Sequence, residues 1–135
     1  MTAIQHIAFG CRDMKASEQF FIKHFGFRRV RTFNKGTQDE FVMLRLGAAC
    51  LELFQAGNDQ QPCKTAEQAP GFRHLAFEVD NLDRAVARLN ADGIKTGDII
   101  DCSGMVAGMR VCFFDDLDGN KLEMMQGYLD EVDVR

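Results

Sequence analysis

The stretch Gln5-His6-Ile7-Ala8-Phe9 returns 68 residues later as Arg73-His74-Leu75-Ala76-Phe77. In both copies, alternate residues are apolar, as in a strand that is buried on one face. A helix N-cap candidate follows seven residues after each His, Asp13 in the first copy and Asn81 in the second. A long internal repeat of this kind predicts two copies of one structural module.

The periodicity predicts the order β-α-β-β-β in each copy, and hence an α+β fold class. Module 1 (3–55) and module 2 (72–127) are joined by a polar linker, 56–71, that contains both prolines, and a short acidic tail, 128–135, follows. We expect one domain in which a mixed sheet forms a cup with the helices outside. The predicted strands are 3–10, 27–33, 40–46, 49–55, 72–79, 97–102, 109–115 and 120–127, and the helices run from the Asp13 cap to about Phe25 and from Leu82 to Asp92.

Composition excludes several classes of function. The chain has 135 residues, 46% of them hydrophobic, which is enough for a substantial core. Sixteen basic and 20 acidic residues are well mixed and give a net charge of −4, so no basic stripe is available to bind nucleic acid. No stretch approaches the roughly 18 apolar residues of a membrane span, and no signal peptide is recognisable. We therefore expect a cytoplasmic protein without a membrane or nucleic-acid partner.

The five cysteines form no Cys-x-x-Cys pair, and their number is odd. In a reducing compartment this pattern is typical of free thiols that behave as small buried hydrophobic residues. The sequence therefore predicts reduced, mostly buried cysteines at positions 11, 50, 63, 102 and 112.

Each module closes on a strand that carries a carboxylate among apolar neighbours, Glu52 in the first and Glu123 in the second. The alternation places these carboxylates, with His6 and His74, on the sheet face that the helices do not cover. Taken alone, a strand His or Glu is more often a surface residue. Because both residue types recur at matching offsets, the sequence instead predicts four ligands for one metal ion.

The proposed ligand set also indicates a chemistry. Two neutral imidazoles and two carboxylates cancel a divalent charge and suit Zn, Ni, Co, Mn or Fe. Four protein ligands on a six-coordinate ion leave two positions for water or for a small substrate with a carbonyl or vicinal oxygens. Such an ion polarises a carbonyl and stabilises an enediolate while a carboxylate moves a proton.

The His-Glu-His-Glu pattern on two β-α-β-β-β modules resembles the vicinal oxygen chelate superfamily of glyoxalase I, bleomycin-resistance proteins and dioxygenases. The best local matches are 5–9, 71–77 and 113–123; the last is similar to the family's Asp-Pro-Asp-Gly-x-x-Leu-Glu signature, with Leu117 in place of Pro. The resemblance to the glyoxalase I branch implies a lactoylglutathione lyase-like lyase or isomerase and a homodimer. It also implies the metal ligands His6, Glu52, His74 and Glu123, with Glu52 and Glu123 as the catalytic residues that move the proton.

Two departures from this branch concern the substrate. Bacterial glyoxalase I has an Arg four residues after the first His, where it binds a carboxylate of glutathione, and Gly10 stands there instead. A loop at 103–109 replaces the Lys-Gly-Gly type loop of the glutathione enzyme and is more apolar, although Arg110 next to it is a possible positive group. The resemblance therefore leaves open which substrate is used and whether a thiol cofactor such as glutathione takes part.

Three other functions stay open. A coenzyme A ester epimerase uses related enolate chemistry, but that family usually has Gln in place of Glu52 and His-Pro in place of 115–116. An extradiol-type dioxygenase would use His6, His74 and Glu123, and Glu52 would then obstruct the oxygen site. A bleomycin-resistance-like binding protein would use the cup alone, without the four metal ligands.

Overall fold

A computed structural model describes residues 1–62 and 69–131. The chain forms two compact units, Met1–Cys63 and Lys64–Arg135, and each contains one four-stranded mixed sheet and one helix. Residues 63–68 of the predicted linker, which include Cys63, and residues 132–135 of the predicted tail lie outside the described residues. No helix in the described part of the chain is long and apolar enough to cross a membrane. The predicted boundaries of the single domain and its linker stay a prediction.

The first unit has the predicted β-α-β-β-β order. Its strands lie in the order β1-β4-β3-β2; β1 is parallel to β4, and the other neighbouring pairs are antiparallel. The elements are β1 (His6–Cys11), α1 (Met14–Phe25), β2 (Arg28–Phe33), β3 (Phe41–Leu46) and β4 (Ala49–Gln55).

The second unit repeats this topology. Its strands lie in the order β5-β8-β7-β6, with β5 parallel to β8 and the other neighbouring pairs antiparallel. The elements are β5 (Leu75–Glu78), α2 (Leu82–Ala91), β6 (Ile100–Asp101), β7 (Arg110–Asp115) and β8 (Lys121–Gln126). The predicted α+β fold class of two β-α-β-β-β modules is therefore confirmed.

Local signals in the sequence set both helix starts. The carboxylate of Asp13 accepts a hydrogen bond of 2.9 Å from the backbone N–H of Ala16. The side-chain oxygen of Asn81 likewise accepts a hydrogen bond of 2.9 Å from the backbone N–H of Arg84. These bonds satisfy backbone donors that the first helical turn leaves unpaired. Gly26 ends α1 in the left-handed conformation, with φ of 76°.

Two predicted strands of the second module are shorter than expected. Strand β5 begins at Leu75 rather than at residue 72, so His74 lies immediately before it. Strand β6 contains only two residues instead of 97–102, because its ladder with β7 is interrupted. Thr96 and Gly97 bond to β7 separately, through a bridge to Phe114 and a hydrogen bond to the carbonyl of Phe113.

The buried side chains of each unit lie mainly between its helix and its sheet. In the first unit, Phe20 and Phe21 of α1 are at most 5% exposed, and in the second unit Leu82 and Leu89 of α2 are at most 3% exposed. The four described cysteines are buried and form no disulfide with one another, as predicted. The apolar sheet residues that are at most 3% exposed are Val42, Leu44, Cys50, Leu51, Leu53, Cys112, Phe114, Leu122 and Met124, together with Cys11 of β1.

Candidate metal centre

In the first unit, strand pairing brings His6 and Glu52 together. Glu52 is the register partner of Ala8 in the parallel pair β1–β4, and His6 lies two residues before Ala8, on the same face of the sheet. The Nε2 atom of His6 is 3.5 Å from Oε2 of Glu52. The Glu52 side chain is only 15% exposed, so this carboxylate lies in a largely dry environment beside an imidazole.

The second unit repeats this arrangement at the same register. Glu123 is the partner of Ala76 in the parallel pair β5–β8, and His74 lies two residues before Ala76. Its Nε2 atom is 2.8 Å from Oε2 of Glu123, whose side chain is 9% exposed. The ring of Phe113, the antiparallel partner of Glu123, packs edge-on against the imidazole at 5.4 Å between centroids. Each unit therefore has one His–Glu pair on its uncovered sheet face.

Gln5 orients the first imidazole. Its side-chain carbonyl oxygen is hydrogen-bonded to Nδ1 of His6, so an N–H on Nδ1 donates to it and the lone pair lies on Nε2, the atom nearest Glu52. Metal-bound histidines commonly have such an oxygen acceptor on the nitrogen that does not bind the metal. The chemistry of this donor set therefore fits a metal ligand at Nε2 of His6.

Two further glutamines, which the sequence analysis missed, connect the Glu-bearing strands to the helices. The side-chain oxygen of Gln55 accepts a hydrogen bond of 3.1 Å from the backbone N–H of Met14. Gln126 accepts one of 2.7 Å from that of Leu82 in the same way. Each glutamine follows a proposed Glu ligand by three residues, in the repeated pattern Glu-x-x-Gln. That repetition is the signal by which the sequence could have revealed them.

The loop at 103–109 packs on the sheet face of the second unit that lies away from α2. Cys102, Met109 and Val111 form a buried cluster, and Val106, Phe113 and Met125 pack against it. Phe113 and Met125 lie on the sheet face of Glu123, and Met105 at the loop tip is 75% exposed. Val106 and Met109 of the loop therefore pack with apolar residues on the sheet face of Glu123.

Arg110 does not lie on the face of the proposed ligands. It alternates with Val111 along β7 and pairs with Asp83 at the start of α2, at 2.7 Å between Nη2 and Oδ2. This guanidinium lowers the pKa of Asp83 below its usual range through a hydrogen bond. The suggestion that Arg110 supplies a positive group for the substrate is wrong, because its side chain pairs with Asp83 on the helix side of the sheet.

Within either unit, the described residues form no group of three or more His, Cys, Asp or Glu side chains that could hold a metal ion. The structure thus brings together His6 with Glu52, and His74 with Glu123. That all four bind one ion stays a prediction.

Comparisons with known proteins agree with this architecture. The family model for the Glyoxalase/Bleomycin resistance protein/Dioxygenase superfamily matches residues 3–124. The uncharacterized protein YwkD of Bacillus subtilis is 34% identical over 128 residues, which cover 93% of this chain and 98% of YwkD.

Solved structures share the fold. A glyoxalase family protein from Enterococcus faecalis is 30% identical with a TM-score of 0.74, covering 91% of this chain and 96% of its own. A lactoylglutathione lyase from Agrobacterium tumefaciens is 22% identical with a TM-score of 0.65, covering 94% and 95% of the two chains. At that identity the lyase shows the fold alone. The predicted vicinal oxygen chelate fold is confirmed.

Proposed function

We propose that this chain, which belongs to the glyoxalase/bleomycin resistance protein/dioxygenase superfamily, is a metal-dependent lyase or isomerase of the glyoxalase type. Its substrate would be a small molecule with a carbonyl group or vicinal oxygens, and its reaction a proton transfer at the carbon next to that carbonyl. Similarity to the glyoxalase family protein from Enterococcus faecalis, which is 30% identical to this chain, supports this reaction class.

The observation that carries the proposal is the repeated His–Glu pair. Both pairs occupy the same register in a parallel strand pair, and both join Nε2 of the imidazole to Oε2 of the carboxylate. A structural salt bridge has no need to recur at equivalent positions of two modules that otherwise differ in most residues. We therefore propose His6, Glu52, His74 and Glu123 as the ligands of one divalent ion, Zn, Ni, Co, Mn or Fe.

The residues present fit such an ion. Both carboxylates are largely buried, which is costly for a charged group unless a cation or hydrogen bonds compensate it. The Gln5 acceptor leaves Nε2 of His6 free of its proton, the state that a metal ligand requires. When bound, the ion would supply Lewis acidity to the substrate carbonyl.

The chain's own residues would then move the proton. Glu52 and Glu123 are the candidates, since a carboxylate near the carbon next to the carbonyl can accept a proton and return it to the neighbouring carbon. Glu123 is the more deeply buried of the two. The apolar cover from Phe113 and Met125 would limit exchange of that proton with water.

The first experiment measures metal binding by elemental analysis and by titration of the metal-free protein with zinc. Glu123→Gln, which removes a charged ligand at constant size, is expected to weaken zinc binding by at least about tenfold, a typical cost even for a group outside the ligand shell. The matched control is Glu78→Gln, because Glu78 is an exposed carboxylate on the same uncovered face and should have no effect. Equal zinc affinity of both variants would remove Glu123 from the ligand set.

The second experiment tests the reaction with the metal-loaded protein. Hemithioacetals of methylglyoxal with several thiols, malonyl-type coenzyme A esters and catechols separate the lyase from the epimerase and the dioxygenase. We expect the parent protein to turn over a hemithioacetal and the Glu123→Gln variant to lose this activity. Binding without turnover of any of these compounds would instead indicate a small-molecule binding protein. The mass of the native protein in solution tests the homodimer that the family resemblance implies.

A further inference from the structure

Three phenylalanine rings form a row across the first unit, on the face that carries Glu52. Phe33 stacks on Phe41 at 4.5 Å between centroids and 9° between planes, and Phe41 stacks on Phe54 at 4.5 Å and 21°. The three residues are register partners on β2, β3 and β4. Phe54 lies two residues after Glu52, so the row ends beside the proposed ligand.

The row has one open end. The guanidinium of Arg31 lies 5.6 Å from the centroid of the Phe33 ring, at the β2 end. At the other end, the register partner of Phe54 on β1 is Gly10, which has no side chain to continue the stack. A Cβ atom added to Gly10 would meet nothing within 4 Å, and Phe54 is 37% exposed.

From this geometry we infer that the space over Gly10, against the ring of Phe54, binds a planar aromatic group of the substrate. Neighbouring strands lie about 4.7–4.9 Å apart, which is close to the 4.5 Å spacing of the rings. A ring placed one strand further, over β1, would therefore continue the stack at the same spacing. The inference rests on the proposed function, because only an enzyme would have this aromatic molecule as its substrate.

The position of the open space sets the class of substrate. Gly10 lies on the same face of β1 as His6, four residues further along the strand, so an aryl group over Gly10 would extend away from the His6–Glu52 pair. Gly10 itself has no side chain to bind a peptide carboxylate, whereas the ring of Phe54 beside it offers an apolar face that is 37% exposed. The substrate class is therefore an aryl-substituted carbonyl compound rather than a conjugate that is held through its carboxylates.

The first test uses two chelating probes on the zinc-loaded protein, benzohydroxamate and acetohydroxamate, which share their metal-binding oxygens and differ in the ring. Calorimetry is expected to show benzohydroxamate bound roughly tenfold more tightly, as aromatic stacking with burial of the ring predicts. Gly10→Leu, which fills the space, and Phe54→Leu, which removes the platform, should bring the ratio close to one. Phe33→Leu is the matched control at the far end of the row and should keep the preference.

A second probe separates this inference from the proposed function. The metal-free protein is titrated with 2-naphthol, which cannot chelate, and backbone amide shifts are followed by NMR. Saturable shifts at Gly10 and Phe54 that disappear in Gly10→Leu are the expected result; thermal unfolding verifies that each variant is folded. Hydroxamates that bind with equal affinity would overturn the aromatic subsite while leaving the metal site intact. If neither hydroxamate binds, the metal site fails, and absence of saturable naphthol shifts would then overturn the subsite as well.

Discussion

Replacing Gly127 by Ala should destabilise the second unit far more than the same change at Gly119. Both glycines have a left-handed backbone, with φ of 84° and 82°. At Gly127 an added Cβ would lie 2.6 Å from the carbonyl oxygen of Gly108, whereas at Gly119 it would meet nothing within 4 Å. The two variants therefore share the cost of the backbone conformation and differ in one contact.

The magnitudes follow from these two terms. A left-handed non-glycine residue costs about 1–2 kcal/mol, and the smaller conformational freedom of Ala in the unfolded chain offsets about 0.4–1 kcal/mol. Gly119→Ala should thus lower the free energy of unfolding by roughly 1 kcal/mol. Gly127→Ala adds a clash with backbone atoms that no rotamer relieves, which costs about 1–3 kcal/mol more.

Urea unfolding followed by circular dichroism measures both variants against the parent protein. A difference of about 2 kcal/mol between them corresponds to roughly 6–10 °C in Tm for a chain of this size. The slope of the urea dependence should stay unchanged, since neither change alters the surface that unfolding exposes. Equal unfolding free energies for Gly127→Ala and Gly119→Ala would refute the close approach of Gly127 to the loop at 103–109.

Two further predictions concern other side chains. Gln5→Leu removes the hydrogen-bond acceptor from Nδ1 of His6 and should weaken zinc binding roughly 10–100-fold, as measured by competition with a chromogenic chelator. Gln5→Glu keeps an oxygen acceptor and should retain most of the affinity, so equal losses in both variants would contradict the orienting role. Burial raises the pKa of the Cys112 thiol, so iodoacetamide at pH 8 should modify it much more slowly in the folded protein than in urea. Peptide mapping by mass spectrometry measures both rates, and equal rates would contradict its burial.

The sequence predicted the elements well where local chemistry decides them. Asp13, Gly26 and Asn81 act through bonds or dihedral angles within a few residues of themselves, and the structure confirms all three at the helix ends. Strand ends were predicted less well. The predicted strand at 97–102 contains only two paired residues, because its ladder depends on how closely the distant β7 approaches it.

The sequence predicted the proposed metal ligands but not the glutamines that form hydrogen bonds around them. The repeated His and Glu could be identified because alternation fixes which residues share a face. The role of Gln5 could not be predicted, because it depends on a hydrogen bond to His6 whose geometry the sequence does not specify. Gln55 and Gln126 were overlooked, although the repeated pattern Glu-x-x-Gln could have revealed them. Arg110 was considered as a positive group for the substrate because it follows the loop at 103–109, but it pairs with Asp83, 27 residues away, on the helix side of the sheet.

By itself, the sequence determined that this protein has two β-α-β-β-β modules and that each presents one His and one Glu on its uncovered sheet face. Those facts follow from periods of 2.0 and 3.6 residues and from a repeat, all of which are local or countable. Only the tertiary structure decided that strand β1 pairs in parallel with β4, which brings His6 to Glu52 and leaves Gly10 beside Phe54. Register between strands far apart in sequence depends on the packing of whole side-chain faces, so no short stretch of residues specifies it.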